Sequence, residues 1–444
     1  MNNDLTQGSV MKTMLRFAVP MILGDLLPQC YNIADTVIVG RFLGADALAA
    51  VGSSFSLMTF LTSVLLGLAM GSGTVFSIRY GEKDRAGLKE GILASFALLG
   101  AVTVLLNIIV FAGTDWIIWF LRTPGELTGL MREYLTVIFA GLAGIFLYNF
   151  FASLLRSLGN SMVPLVFLAV SAGLNIGLDL LFVAGLHRGV AGAAEATVIS
   201  QYVSGIGIAL YTKIKFPQLL KREKHIRLRM SRMKEITSFS ALTCLQQSIM
   251  NLGILAVQGL VNSYGTTVMA AFAAAVKIDA FAYLPVQDFG NAFSIFTAQN
   301  FGARQWKRIR KGIRTAVAVS MSFGALLSLL VFLLAEPLMT LFIDKGETAV
   351  IAEGVRYLHI EGAFYYMIGL LFLFYGLYRA LGKPGMSVVL TIVSLGVRVA
   401  LAYALSAVPF IGTLGIWWSV PVGWFLADAL GAVYYLANRK KLII

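Results

Sequence analysis

The sequence predicts an all-α integral membrane protein, with 12 transmembrane helices in two six-helix bundles related by a pseudo-twofold axis along the membrane normal. Three observations predict it. Of the 444 residues, 58% are hydrophobic and only 13% charged, with a mean hydropathy of +0.81. A water-soluble chain of this size needs far more charge to cover its surface. Apolar stretches of about 20 residues, the length a helix needs to cross the hydrocarbon, recur along the whole chain. The basic residues, finally, alternate between crowded and sparse loops, as the positive-inside rule requires.

Taken in order, the apolar stretches cover residues 14–39, 48–77, 91–113, 130–152, 162–184, 190–212, 235–262, 268–298, 312–334, 350–377, 386–407 and 414–437. Some exceed the bilayer thickness, so they tilt or extend beyond it. Residues 1–17, MNNDLTQGSVMKTMLRF, are polar and run straight into the first span, without the small-residue cleavage site of a secretory signal. Of the 35 Lys and Arg residues, 27 fall on the side of the terminal segments, nine of them between Lys213 and Lys234, six between Arg304 and Arg314. The opposite side carries six, Arg41, Arg122, Arg132, Arg188, Lys345 and Arg356, and Lys277 and Arg398 lie within spans. Both termini are therefore expected in the cytoplasm, in a bacterial-type inner membrane. The net charge of +13 is topology and lipid-headgroup contact, and nucleic acid is not an expected partner.

The chain repeats itself. GADALAAVG at 44–52 matches GTTVMAAFA at 265–273, and IRYGEKDRAGLKEGI at 78–92 matches QNFGARQWKRIRKGI at 299–313, both displaced by 221 residues. RSLGNSMVP at 156–164 matches RALGKPGMS at 379–387, and GVAG at 189–192 matches GTLG at 412–415, both displaced by 223. Four matches in order, with so little drift, divide the chain into an N-terminal bundle (1–212), a basic cytoplasmic linker (213–234) and a C-terminal bundle (235–444). Six spans is an even number, so both halves enter the membrane from the same side. Substrate sites of secondary transporters lie at such repeat interfaces.

Intramembrane acids are costly, and functional by default. Asp35 lies in the outer third of span 1, Asp179 in the outer third of span 5, and Thr197 in the outer third of span 6. Asn175 sits one turn from Asp179 on the same helix face. Four oxygen-bearing side chains can thus meet at one depth, and no Lys or Arg shares that depth within a span. Two carboxylates without a basic partner suit a hard cation or a shared proton. The bland alternative for one such aspartate is a helix-packing hydrogen bond.

The stretches ADTVIVGRFLGADALAAVG (34–52), LNIGLDLLF (174–182), GVAGAAEATVISQ (189–201) and QNFGA (299–303), together with the two-half design, resemble the multidrug and toxic compound extrusion (MATE) family, in particular its bacterial members of the YoeA-like kind. The resemblance covers nearly the whole chain. It implies a secondary antiporter that exports amphipathic, often cationic, drug-like molecules in exchange for Na⁺ or H⁺ by alternating access between two bundles. It implies no cofactor beyond that coupling ion, and a monomer among lipids. The family's N-terminal cation site falls on Asp35, Asn175, Asp179 and Thr197. Other members use an acid in span 7, where this chain has CLQQSIMN (244–251) with Gln246 and Gln247 and no carboxylate.

Further charges lie in the second half. Lys277, Asp279, Glu361 and Arg398 form an expected charge network in spans 8, 10 and 11, either structural or exchanging partners during transport. Asp25 lies between Pro20 and Pro28, which are expected to bend span 1. Asp288 and Asp428 read as water-facing or helix-packing groups. Cys30 and Cys244 read as small buried hydrophobes, and His187, His225 and His359 are too scattered for a metal site. No phosphate loop, dinucleotide fingerprint or nucleophile elbow is present, so no enzyme chemistry is expected. The alternatives to an exporter are a lipid-linked precursor flippase, which needs a basic cleft, and a non-transporting membrane scaffold.

Overall fold

The computed structural model describes residues 4–120, 125–221 and 229–442; Arg122 and the middle of the predicted linker lie outside them. All regular structure among the described residues is helical. The first half comprises α1 (Val10–Leu43), α2 (Ala45–Gly81), α3 (Arg85–Ala112), α4 (Thr114–Phe120), α5 (Thr128–Ile138), α6 (Leu142–Ser157), α7 (Met162–Asp179) and α8 (Gly189–Lys215), with the short α9 (Pro217–Leu220) after it. The second comprises α10 (Met230–Asn262), α11 (Thr266–Gly302), α12 (Trp306–Met339), α13 (Thr348–Gly362), α14 (Tyr365–Ala380), α15 (Pro384–Ser406) and α16 (Thr413–Leu442).

Every predicted span falls on helix. Nine described stretches are long and apolar enough to cross a membrane, and ten if the bent pair α13–α14 counts as one. The two that fall short are α1 and α8, and composition is the reason. Arg16, Asp25, Asp35 and Arg41 interrupt α1, and Glu195 and Gln201 interrupt α8. At the other extreme stands α12, only 17% of whose span is buried within the protein. Its outward Leu326, Leu329, Leu330 and Leu333 are exposed, as a lipid-facing helix requires.

The repeat is visible in the breaks. In the first half a 3₁₀ turn at Phe139–Gly141 separates α5 from α6. At the matching place in the second half, α13 and α14 meet at a 50° bend. Glycine lets helices close on each other: a methyl at Gly71 on α2 would lie 2.4 Å from the Phe239 carbonyl oxygen on α10, and one at Gly376 would lie 2.6 Å from that of Gly290.

The chain forms two compact units. Among the described residues, one contains Asp4 and those of 23–244; the other contains residues 5–22 and 245–442. The chain passes from one unit to the other inside α1, between Ile22 and Leu23, and again inside α10, between Cys244 and Leu245. Each helix start is held where the repeat places it, by different chemistry. In the second unit, Leu5 is fully buried in the core with Phe17 and Phe296. There Arg308 donates to the carbonyls of Leu5, Gln7 and Gly8, and Asn300 donates to that of Leu5. In the first unit the start of α10 is held by ions: Arg79 pairs with Glu235 at 2.5 Å and Arg232 with Asp84 at 3.2 Å.

Candidate functional site

The site of the first unit is built by α1, α7 and α8. Asp35 comes from α1, Asn175 and Asp179 from the last turns of α7, and Thr197 from α8. Asp179 is 0% exposed and Asn175 3%; Asp35 and Thr197 are half-buried. The four predicted residues are brought together. The carboxyl groups of Asp35 and Asp179 lie within hydrogen-bonding reach of each other, and Asn175 Nδ2 donates to Thr197 Oγ1 at 3.2 Å. Immediately after Asp179 the α-helix gives way to a π-helical turn, Leu180–Gly185, an irregularity that recurs at functional sites.

What the protein leaves unmade there matters most. Asp35 Oδ1, both carboxylate oxygens of Asp179 and Asn175 Oδ1 are buried without a hydrogen-bond partner. No Lys or Arg among the described residues forms an ion pair with either aspartate. Two adjacent carboxylates in such surroundings cannot both stay charged and uncompensated. The orphaned carboxylate and amide oxygens, with the Thr197 hydroxyl beside them, are the donor set of a hard monovalent cation. The same oxygens also accommodate a proton shared between the acids. Tyr31 and Tyr134 lie within electrostatic range of Asp35; sequence reasoning did not find them, since an aromatic in an apolar run carries no signal of its own.

The second unit treats its acids differently. Asp279 on α11 is 6% exposed and accepts two hydrogen bonds, from Tyr357 to Oδ2 at 2.5 Å and from Tyr365 to Oδ1. Glu361, also 6% exposed, and Arg398 lie within electrostatic reach of Asp279 and of each other. Three of the four predicted network residues are thus brought together. Lys277 is not: it is exposed, with Nζ 5.9 Å from the ring centroid of Phe342. Two positions apart on a helix, Lys277 and Asp279 point different ways. The two tyrosines were missed, though Tyr357, Glu361 and Tyr365 recur every four residues.

The remaining polar residues divide. Asp25 meets Arg156 at 3.8 Å, and α1 continues as helix through Pro20 and Pro28. Asp288 and Asp428 are 2% and 7% exposed, so neither faces water; Asn291 donates to Asp288 at 3.5 Å. Gln246 and Gln247 are buried. Cys30 is exposed rather than buried, and Cys244 is intermediate; Cys30 shares its helix face with Leu26, Leu27 and the exposed Ile33, an apolar face turned outward from the core.

Comparison with known proteins bears on the family and the fold. The MatE family model matches residues 20–181 and again 243–404, two segments displaced by 223 residues, the internal repeat read from the sequence. The chain is 30% identical to the "Probable multidrug resistance protein YpnP" of Bacillus subtilis (strain 168), over 99% of this chain and 97% of that protein. It is 29% identical to the "Probable multidrug resistance protein YoeA" of the same organism, over 98% and 96%. Among solved structures it is similar to a "MATE in the bent conformation", with a TM-score of 0.93, 23% identity and coverage of 99% and 98%. It is similar also to a MOP superfamily transporter from Pyrococcus furiosus Vc1 (DSM3638), with a TM-score of 0.91, 23% identity and the same coverage. These likenesses confirm the all-α fold of two bundles.

Proposed function

The chain belongs to the MATE family of multidrug efflux transporters and is not an enzyme, and from that premise we propose an ion-coupled antiporter that exports amphipathic or cationic small molecules. In this reading Asp35, Asn175, Asp179 and Thr197 bind the coupling ion, Na⁺ or H⁺. The observation that carries it is the pair of adjacent carboxylates with no basic partner and no donor on Asp179. An ion there neutralises the acids, and its release restores the repulsion between them. The site therefore has two states of different electrostatic energy, which is what alternating access needs from a coupling ion. The basic loops support an orientation with both termini in the cytoplasm of a bacterial-type inner membrane, and the protein works as a monomer.

The energetics suffice. One monovalent cation moving inward through ~150 mV yields roughly 3.5 kcal/mol. At about 1.4 kcal/mol per tenfold, that sustains a gradient of a few hundredfold for a neutral cargo. A cationic cargo exchanged one for one gains nothing from the voltage and depends on the chemical gradient of the ion.

The test is ethidium efflux from proteoliposomes under a Na⁺ gradient and a pH gradient imposed separately. The unmutated protein is expected to respond to one of them, and Asp35→Asn and Asp179→Asn to neither. Undiminished efflux in both variants, with reconstitution verified, contradicts the site.

A further inference from the structure

The repeat allows the two units to be laid on each other, residue by residue, and the comparison isolates one side chain. The displacement of 223 residues holds through the second half of each repeat, from RSLG on Arg156 and RALG on Arg379 to GVAG at 189 and GTLG at 412, and the family model returns the same displacement for both segments. The start of α6 at Leu142 and of α14 at Tyr365 obeys it too.

At this register the position of Asn175 is taken by Arg398, that of Asp179 by Ala402, and that of Thr197 by Val420. Past Glu235, α10, the counterpart of α1, carries no acidic residue at all, so Asp35 has no equivalent. Every cation ligand of the first unit is therefore absent from the second. Yet the pocket keeps part of its frame: Tyr134, beside the Asp35–Asp179 pair, corresponds to Tyr357. Acids have entered the second pocket from elsewhere, Asp279 from α11 and Glu361 from the end of α13, and with them a fixed positive charge.

We infer that the Arg398 guanidinium is a tethered counter-cation, standing in the second unit where an exchangeable ion stands in the first, and that it keeps the second unit out of ion exchange. This rests on the ion-binding role proposed for the first unit. Three features support it. Arg398 is 9% exposed, too buried to be a headgroup contact. Glu361 and Asp279 both lie within its electrostatic reach. Asp279, finally, is already provided for by two tyrosine hydroxyls, so Glu361, whose Oε2 has no hydrogen-bond partner, is the acid left for the arginine to balance through space. A guanidinium cannot lose its proton in a protein and cannot leave, so the charge it supplies does not cycle. In the first unit, Asn175 at the same position supplies only a neutral oxygen, and an ion must arrive from solution. The identity of one residue thus sets how many ions accompany each cargo.

Equilibrium binding of ²²Na⁺ and proton uptake, followed with a pH indicator, test this on the purified full-length protein. The unmutated protein is expected to bind in a single class that disappears in Asp179→Asn. Arg398→Asn is expected to gain a second class, which survives in Arg398→Asn/Asp179→Asn and vanishes when Glu361→Gln is added. Arg398→Lys keeps the fixed charge and should keep the single class. Should Arg398→Asn fail to fold, the charge-neutral pair Arg398→Met/Glu361→Gln takes its place, with ion stoichiometry expected unchanged. A folded Arg398→Asn that binds no more ion than the unmutated protein overturns the inference. So does binding in Asp179→Asn that Glu361→Gln removes, because the second unit would then already exchange ions. Binding that persists in Asp35→Asn and in Asp179→Asn, and that Glu361→Gln does not remove, contradicts the first-unit site instead, a different result from either of these.

Discussion

Asp179 in the first unit and Asp279 in the second, two buried carboxylates, are met in opposite ways. In the first, Asp179 is fully buried and both its oxygens lack a donor. In the second, Asp279 is nearly as buried and both its oxygens accept from tyrosine hydroxyls, with a guanidinium within reach. The second unit also leaves Glu361 Oε2 and both oxygens of Asp428 without a donor; what sets the first unit apart is that its orphaned acids, Asp35 and Asp179, stand beside each other. Incompleteness at a buried charge is costly and persists where something outside the chain completes it. The contrast supports the proposal that the coupling ion binds in the first unit.

Substitutions can break or sharpen that contrast. The largest effect on transport is expected from Asp179→Asn: gradient-driven ethidium efflux should fall to the background of protein-free liposomes while the melting temperature holds or rises, because an uncompensated charge has been removed. The largest effect on stability is expected in the other unit. Glu361→Gln removes one of the two acids within electrostatic reach of the buried Arg398, a costly loss at a buried charge, read as a lowered melting midpoint in detergent. Tyr365→Phe removes one of two hydrogen bonds to Asp279 and should cost about 1–3 kcal/mol, with ion binding unchanged. Lys277→Ala touches an exposed side chain and should stay within about 0.5 kcal/mol. Loss of ion binding in Tyr365→Phe would contradict the division of labour between the units.

How much of this was legible in the sequence depends on what carries the signal. Spans, topology and repeat are written in composition and periodicity, and they read directly. Asp35, Asn175, Asp179 and Thr197 were legible because polar atoms in hydrocarbon are conspicuous and their depths agree. The break at Phe139–Gly141 and the π-helical turn after Asp179 were not, since glycines such as Gly141 and Gly177 are among 44 in the chain and packing decides which of them accompany a break. Tyr134, Tyr357 and Tyr365 were hidden among 16 tyrosines; only contact with an acid distinguishes them. Lys277 was drawn into the network by its depth, which says nothing about which way a side chain points. Residues 5–8 gave no sign that Arg308 would hold them, because their backbone carbonyls, which every residue has, do the binding.

The measurement that bears most directly on the central claim is reciprocity of flux. An ethidium gradient imposed across proteoliposomes, with no ion gradient present, should drive ²²Na⁺ or protons in the opposite direction through the unmutated protein, and not through Asp179→Asn. Ethidium that crosses without any counter-movement of ions would contradict ion-coupled exchange at the first-unit carboxylates.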